Sequence, residues 1–145
     1  MTSSVHTRHP VQVAAMVVAA VFLVVGIAGF IPGLTTDYDG MTFAGHESTA
    51  MLLGVFHVSI LHNIVHLLFG IVGLALARTV SGATAFLIWG GAVYAVLWLY
   101  GLIIDQSSAA NFVPVNTADN WLHFGLAVLM IGLGLALRGR RAVAR

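Results

Sequence analysis

Histidines and an aspartate within apolar stretches are the residues of this chain that could do chemistry. His62 and His66 are four residues apart, and so are Asp119 and His123. Residues at positions i and i+4 lie on one face of a helix, so each pair would present two polar groups in one direction. Ionisable side chains inside a membrane are costly, and they usually mark an interior site with a partner.

Three interpretations of these residues are compatible with the sequence. The first is a hydrogen-bonded network that joins the second helix to the fourth. The second is a zinc or copper site in which His62, His66 and His123 supply nitrogens and Asp119 supplies an oxygen. The third is haem b held between His123 and either His62 or His66, or a proton- or quinone-linked redox role. The chain has no cysteine, which excludes zinc–thiolate sites and iron–sulfur clusters.

The composition indicates that lipid surrounds most of the chain. Of its 145 residues, 59% are hydrophobic and 8% are charged, and the mean hydropathy is +0.98. A soluble globule carries about 25% charged residues. The net charge of +1 is too small for the basic surface that binds nucleic acid, so no nucleic-acid partner is expected. The length suits a single domain over residues 1–145.

Four apolar runs predict the fold class, an all-α integral membrane protein with four transmembrane helices. The runs cover about residues 11–31, 49–77, 82–104 and 119–137. Each is close to or above the ~20 residues needed to cross the hydrocarbon core. Backbone polar groups in lipid must be satisfied internally, and the alternating pattern of barrel strands is absent. Ser48 or Thr49 is predicted to cap the second helix.

The basic residues all lie on one side of the predicted spans. They occupy the N-terminal tail, the turn between the second and third spans and the C-terminal tail (Arg8, Arg78, Arg138, Arg140, Arg141 and Arg145). The acidic residues fall in the two other loops and at the start of the fourth span (Asp37, Asp39, Glu47, Asp105 and Asp119). Positively charged flanks stay in the cytoplasm. We therefore expect a multi-pass membrane protein with both termini in the cytoplasm.

The second and fourth spans share a pattern at their outer ends. His62-Asn63-Ile-Val-His66-Leu aligns with Asp119-Asn120-Trp-Leu-His123-Phe, and each span follows an apolar helix and a polar loop. The pattern predicts an internal repeat: two helical hairpins in parallel orientation, related by a pseudo-twofold axis along the membrane normal.

Depth and direction predict that three imidazoles lie together. At a helical rise of ~1.5 Å per residue from the inner arginines, His62, His66 and His123 fall in one layer of the outer half of the bilayer, with Asp119 just above. His57 is expected near the outer interface on the opposite face of the second helix. The amide-rich loop at residues 111–120 could cover this layer, dock a partner or simply be solvated.

Two segments resemble a known family. They are the stretch from Gly54 to Arg78, with His62-Asn63-Ile-Val-His66-Leu, and the stretch Asn111-Phe-Val-Pro-Val-Asn116-Thr-Ala-Asp119-Asn120-Trp-Leu-His123. Together they resemble the bacterial, mostly actinobacterial, four-helix membrane proteins of domain of unknown function 4383. The resemblance covers nearly the whole chain. It implies a four-helix membrane fold and points to the same histidines, and it implies no established activity.

The sequence matches no soluble-enzyme motif, because it has no phosphate-binding glycine loop, nucleophile elbow or HExxH pattern. We therefore expect a non-enzymatic accessory or self-assembling membrane subunit with a polar histidine layer. Its expected partners are the lipid bilayer, other membrane proteins or further copies of itself. The alternative is a metal- or haem-binding membrane protein with a redox or metal-handling role that uses His62, His66 and His123.

Overall fold

The fold is a bundle of four helices, seen in a computed structural model that describes residues 8–139. The helices are α1 (Pro10–Ala28), α2 (Ile60–Leu76), α3 (Val80–Ile103) and α4 (Thr117–Leu137). Pro10 suits the first turn of α1, where its missing N–H costs no hydrogen bond. The other three helices begin at side-chain caps, because Ser59, Thr79 and Asn116 each accept a hydrogen bond from a backbone N–H of the first turn.

Three of these helices are long and apolar enough to cross a membrane. They are α1, α3 and α4, with 19, 24 and 21 residues. Their bounds agree with the predicted runs at 11–31, 82–104 and 119–137 to within three residues. The second helix, α2, is also apolar but has only 17 residues. The all-helical prediction is therefore confirmed, and by length and composition α1, α3 and α4 could each cross a membrane.

The predicted start of the second helix at residue 49 is wrong, because α2 begins at Ile60. The preceding residues form a small antiparallel sheet of β1 (Thr35–Thr36), β2 (Met51–Leu52) and β3 (Phe56–His57), in the order β1-β2-β3. The chain reverses between β2 and β3 through Leu53 and Gly54, which have φ angles of 55° and 68°. A left-handed backbone of this kind cannot continue a helix. Hydropathy alone could not reveal it, since the hairpin is as apolar as the helix.

The arginines within the described residues lie at one end of the bundle. Arg8 precedes α1, Arg78 lies between α2 and α3, and Arg138 follows α4. We call this the arginine end, and we call the opposite end, which carries the sheet and the 104–116 loop, the sheet end. Arg140, Arg141 and Arg145 lie outside the described residues.

The helices pack as two close hairpins, α1 with α2 and α3 with α4. Small residues allow these approaches: a Cβ placed on Gly70 would lie 2.6 Å from Leu23, and one on Gly91 would lie 2.7 Å from Ile131. Large apolar side chains remain exposed on the outside, and Val24, Trp89 and Ile103 are 65%, 72% and 82% exposed. An exposed apolar surface of this extent suits contact with lipid.

The sheet-end halves of α2 and α4 use the same contacts at the same spacing of 57 residues. The caps are Ser59 and Asn116, and each accepts a hydrogen bond from the backbone N–H three residues later. Asn63 and Asn120 are both buried. Each of these two asparagines lies against a glycine of the preceding helix or its end. A Cβ on Gly29 would lie 2.1 Å from Asn63 Oδ1, and one on Gly101 would lie 2.2 Å from Asn120 Oδ1.

Candidate functional site

A cavity of about 210 Å³ lies towards the sheet end between α2, α3 and α4. The imidazoles of His62, His66 and His123 contribute to its wall, and the rest of the wall is aromatic and aliphatic. We call this cavity the histidine chamber and define it by His62, His66, Tyr94, Tyr100, Phe112 and His123. The structure thus brings the three sequence-predicted histidines to one cavity.

His62 and His66 occupy the first two turns of α2, with ring centroids 4.2 Å apart. His66 Nδ1 lies 3.1 Å from the backbone oxygen of His62. A carbonyl oxygen only accepts, so Nδ1 of His66 carries the hydrogen, and in the neutral ring Nε2 keeps its lone pair. His62 Nδ1 lies 3.3 Å from Asn63 Oδ1, and the same reasoning leaves its Nε2 as an acceptor. In both rings Nε2 is therefore the nitrogen that remains an acceptor.

His123 reaches the chamber from α4. Its ring centroid lies 5.2 Å from that of Tyr94, and Tyr94 stacks on Phe22 at 5.4 Å. Phe22 also lies 5.6 Å from His66, so side chains of all four helices meet beside the chamber. His123 Nδ1 is buried and has no hydrogen-bond partner among residues 8–139. A buried nitrogen without a hydrogen-bond partner is costly.

Asp119 does not line the chamber with the histidines. Its side chain is 3% exposed, and Oδ2 accepts hydrogen bonds from the backbone N–H groups of Asn116 and His57, each at 2.9 Å. The carboxylate therefore joins the start of α4 to strand β3. His57, which the sequence predicted to lie on a helix, lies on β3, and its ring contacts the backbone oxygen of Ser48.

The predicted metal and haem sites find little support in this geometry. Within residues 8–139, no three His, Asp or Glu side chains converge in an arrangement that could hold a metal ion. The predicted ligand set of His62, His66, His123 and Asp119 is therefore not assembled. Pockets for drug-sized ligands occupy about 300–1,000 Å³. The chamber, at about 210 Å³, lies below this range.

The 104–116 loop covers the chamber, as one of the alternatives drawn from the sequence expected. Phe112 and Val113 contribute to the cavity wall. Asn111 braces the loop from within: its Nδ2 donates to the backbone oxygens of Gln106 and Val115 at 2.9 and 3.0 Å, and its Oδ1 accepts from Val115 N–H at 2.9 Å. Tyr100 donates a further hydrogen bond to the backbone oxygen of Ala110.

Sequence reasoning missed the contribution of Phe22 and Tyr94. No spacing signal distinguishes them from the other aromatic residues of the spans. Their contacts depend on how α1 and α3 rotate about their axes, which the near-uniform hydropathy of these helices leaves open.

Comparison with known proteins gives one match. Neither a curated protein nor a solved structure matches the chain. The family model described as domain of unknown function (DUF4383) matches residues 12–136. The match covers most of the chain, including α2, the chamber histidines and nearly all of α4, and the chain therefore belongs to the DUF4383 family.

Proposed function

We propose that this chain is a non-enzymatic membrane protein that binds a small apolar molecule carrying a hydroxyl group in its histidine chamber. The observation that carries the proposal is the chamber itself: three imidazoles in an otherwise apolar cavity that a braced loop covers. In this proposal all four helices cross the bilayer. The arginine end faces the cytoplasm of a bacterial inner membrane, in agreement with the bias of basic residues.

The size of the chamber supports a ligand of one or two rings. An apolar cavity of about 150 Å³ in a protein core binds benzene. The histidine chamber is larger, at about 210 Å³, and the aromatic faces of Tyr94, Tyr100 and Phe112 suit a flat apolar molecule.

The hydrogen-bonding pattern supports a donor on that ligand. His62 and His66 each donate their Nδ1 hydrogen to an acceptor within α2, so the Nε2 atoms of both rings remain acceptors. A hydroxyl donates to such a nitrogen, whereas an ether or a ketone cannot. The chamber wall contains no carboxylate, serine or threonine beside the imidazoles, which supports binding without hydrolytic or acyl-transfer chemistry.

The wider role that we propose is that of an accessory or self-assembling subunit. The matched contacts of Asn63 with Gly29 and of Asn120 with Gly101 support a duplicated hairpin. The large exposed apolar surface supports contact with lipid, other membrane proteins or a second copy. A metal- or haem-binding role is the alternative, and the chamber geometry does not favour it.

The experiment compares three fluorescent probes of similar shape on the purified protein in detergent. 1-Naphthol donates a hydrogen bond, 1-methoxynaphthalene only accepts one, and 1-methylnaphthalene does neither. After correction for partition into detergent, we expect 1-naphthol to bind about five-fold more tightly than the other two, the value of one net hydrogen bond. The double variant His62→Leu, His66→Leu removes both Nε2 acceptors and should lose this preference while keeping 1-methylnaphthalene binding, which also shows that the chamber has folded.

His46→Leu is the matched control, because His46 lies in a loop, pairs with Glu47 at 2.9 Å and does not line the chamber. Equal affinity for the three probes in the wild type would refute the hydroxyl preference. Absence of saturable binding for all three would refute the chamber as a ligand site. Elemental analysis and a visible spectrum test the alternative, since a stoichiometric metal or a haem absorption band would establish it.

A further inference from the structure

A second cavity, of about 610 Å³, opens at the arginine end between the start of α1 and the turn from α2 to α3. Arg8 and Arg78 both line it, together with Gln12 and Thr79. We call it the arginine cleft. It lies at the opposite end of the bundle from the histidine chamber and shares no residue with it.

The two arginines of the cleft have no acidic partner. All five acidic residues lie within residues 8–139, and none forms an ion pair with Arg8 or Arg78. Two cations in one cleft repel each other, and no carboxylate side chain within residues 8–139 pairs with either of them. An anion from outside would do so, and arginine binds phosphate oxygens in a bidentate manner.

The cleft is held in shape by Gln12. Its Nε2 donates to the backbone oxygens of Ala77 and Arg78, at 3.1 and 2.9 Å. Its Oε1 accepts from the backbone N–H of His9 at 3.1 Å. One side chain therefore joins the start of α1 to the end of α2 and fixes the backbone beside both arginines. Arg8 lies back along α1, with Nη1 3.1 Å from Met16 Sδ.

The position of the cleft identifies the source of the anion. It lies where α1 and α3 begin, at the level at which helices of this kind leave the hydrocarbon. Met16, Ala77 and Val80 give it an apolar side next to the cations. A phospholipid presents a phosphate and an acyl chain together at this depth, and basic pockets between transmembrane helices bind anionic head groups.

We propose that the arginine cleft binds the phosphate of an anionic phospholipid, with Arg8 and Arg78 as the contacting side chains. The proposal is independent of the histidine chamber and of its ligand. Orientation in the membrane decides only which leaflet supplies the lipid.

The test is native mass spectrometry of the full chain in detergent, titrated with dioleoyl phosphatidylglycerol or dioleoyl phosphatidylcholine. We expect preferential binding of one phosphatidylglycerol. Because each basic residue near a membrane surface contributes about 1 kcal/mol to such binding, Arg8→Gln and Arg78→Gln should each lower the affinity about five-fold. Arg78→Lys keeps the charge and should retain most of the affinity.

Arg138→Gln is the matched control, because Arg138 lies at the same end and lines a different cavity. Equal losses in Arg138→Gln and Arg78→Gln would overturn the proposal in favour of general surface charge. Equal affinity for the two lipids would also overturn it. In a third arm, inorganic phosphate at 10-fold excess over the lipid should leave the lipid bound; its complete displacement would show that the cleft takes free phosphate and not phospholipid. Thermal unfolding of each variant identifies any loss that comes from misfolding.

Discussion

Replacing Gly29 with alanine tests the contact between α1 and the buried amide of α2. The added Cβ would lie 2.1 Å from Asn63 Oδ1, 2.4 Å from Cγ and 2.6 Å from Nδ2. Asn63 is fully buried, and its Oδ1 accepts from His62 Nδ1, so the amide cannot move without losing its partner. The backbone of Gly29, at φ −60° and ψ −20°, suits alanine without strain. The steric overlap with Asn63 alone therefore decides whether Gly29→Ala stabilises or destabilises the protein.

We expect Gly29→Ala to lower the free energy of unfolding by about 1–3 kcal/mol, the usual cost of overpacking a filled core. That cost corresponds to a change of about 5- to 150-fold in the unfolding equilibrium. The assay is titration with sodium dodecyl sulfate in mixed micelles, followed by tryptophan fluorescence. Gly125→Ala is the control, because a Cβ there meets nothing within 4 Å. It should be neutral or stabilise α4 by up to about 1 kcal/mol.

A double-mutant cycle with Asn63→Ala identifies the source of the strain. Asn63→Ala removes the amide that the new methyl group would meet, so the double variant should be less destabilised than the sum of the two single variants. Additive effects would refute the reasoning, and so would a Gly29→Ala variant as stable as Gly125→Ala.

Two further perturbations follow from the contacts at the sheet end. Gly101→Ala places a Cβ 2.2 Å from Asn120 Oδ1 and should cost about 1–3 kcal/mol in the same titration; a neutral result would remove this support for the repeated hairpin. Asp119→Ala removes the acceptor of the N–H groups of His57 and Asn116, which are charge-assisted bonds worth about 1.5–3 kcal/mol each. Hydrogen exchange at these two amides should accelerate relative to the rest of the chain, and unchanged exchange would contradict the assigned role of the carboxylate.

Hydropathy was sufficient to predict α1, α3 and α4, and it was misleading for the start of α2. Residues 49–59 are as apolar as a span, so no window average separates them from α2. The structure uses them as a hairpin because Leu53 and Gly54 adopt left-handed backbone angles and Ser59 supplies the helix cap. Gly54 was the available signal, since a glycine within an apolar run often marks a turn.

The candidate site was predictable in its histidines and not in its aspartate. The i, i+4 spacing placed His62 and His66 on one face, and helical rise placed His123 at their level. Asp119 and His123 are also four residues apart, and this spacing alone suggested that Asp119 is a metal ligand. The structure instead uses its carboxylate to accept two backbone N–H groups, one of them from strand β3. That role depends on a sheet that the sequence pattern did not reveal.

In the proposed arrangement, in which all four helices cross the bilayer, the short helix α2 would thin the bilayer beside it. Its 17 residues reach ~26 Å at 1.5 Å each, less than the ~30 Å of hydrocarbon, and its exposed apolar face begins only at Ile64. Just before α2, the exposed Leu53 and Val55 provide apolar surface at the level of the lipid head groups. Lipid adapts to such a hydrophobic mismatch by thinning, at a cost that grows with the perimeter of the deformed patch. Two copies that share one thinned patch would deform less lipid than two separate copies, so on the proposed topology we expect the bilayer to favour their association along α2.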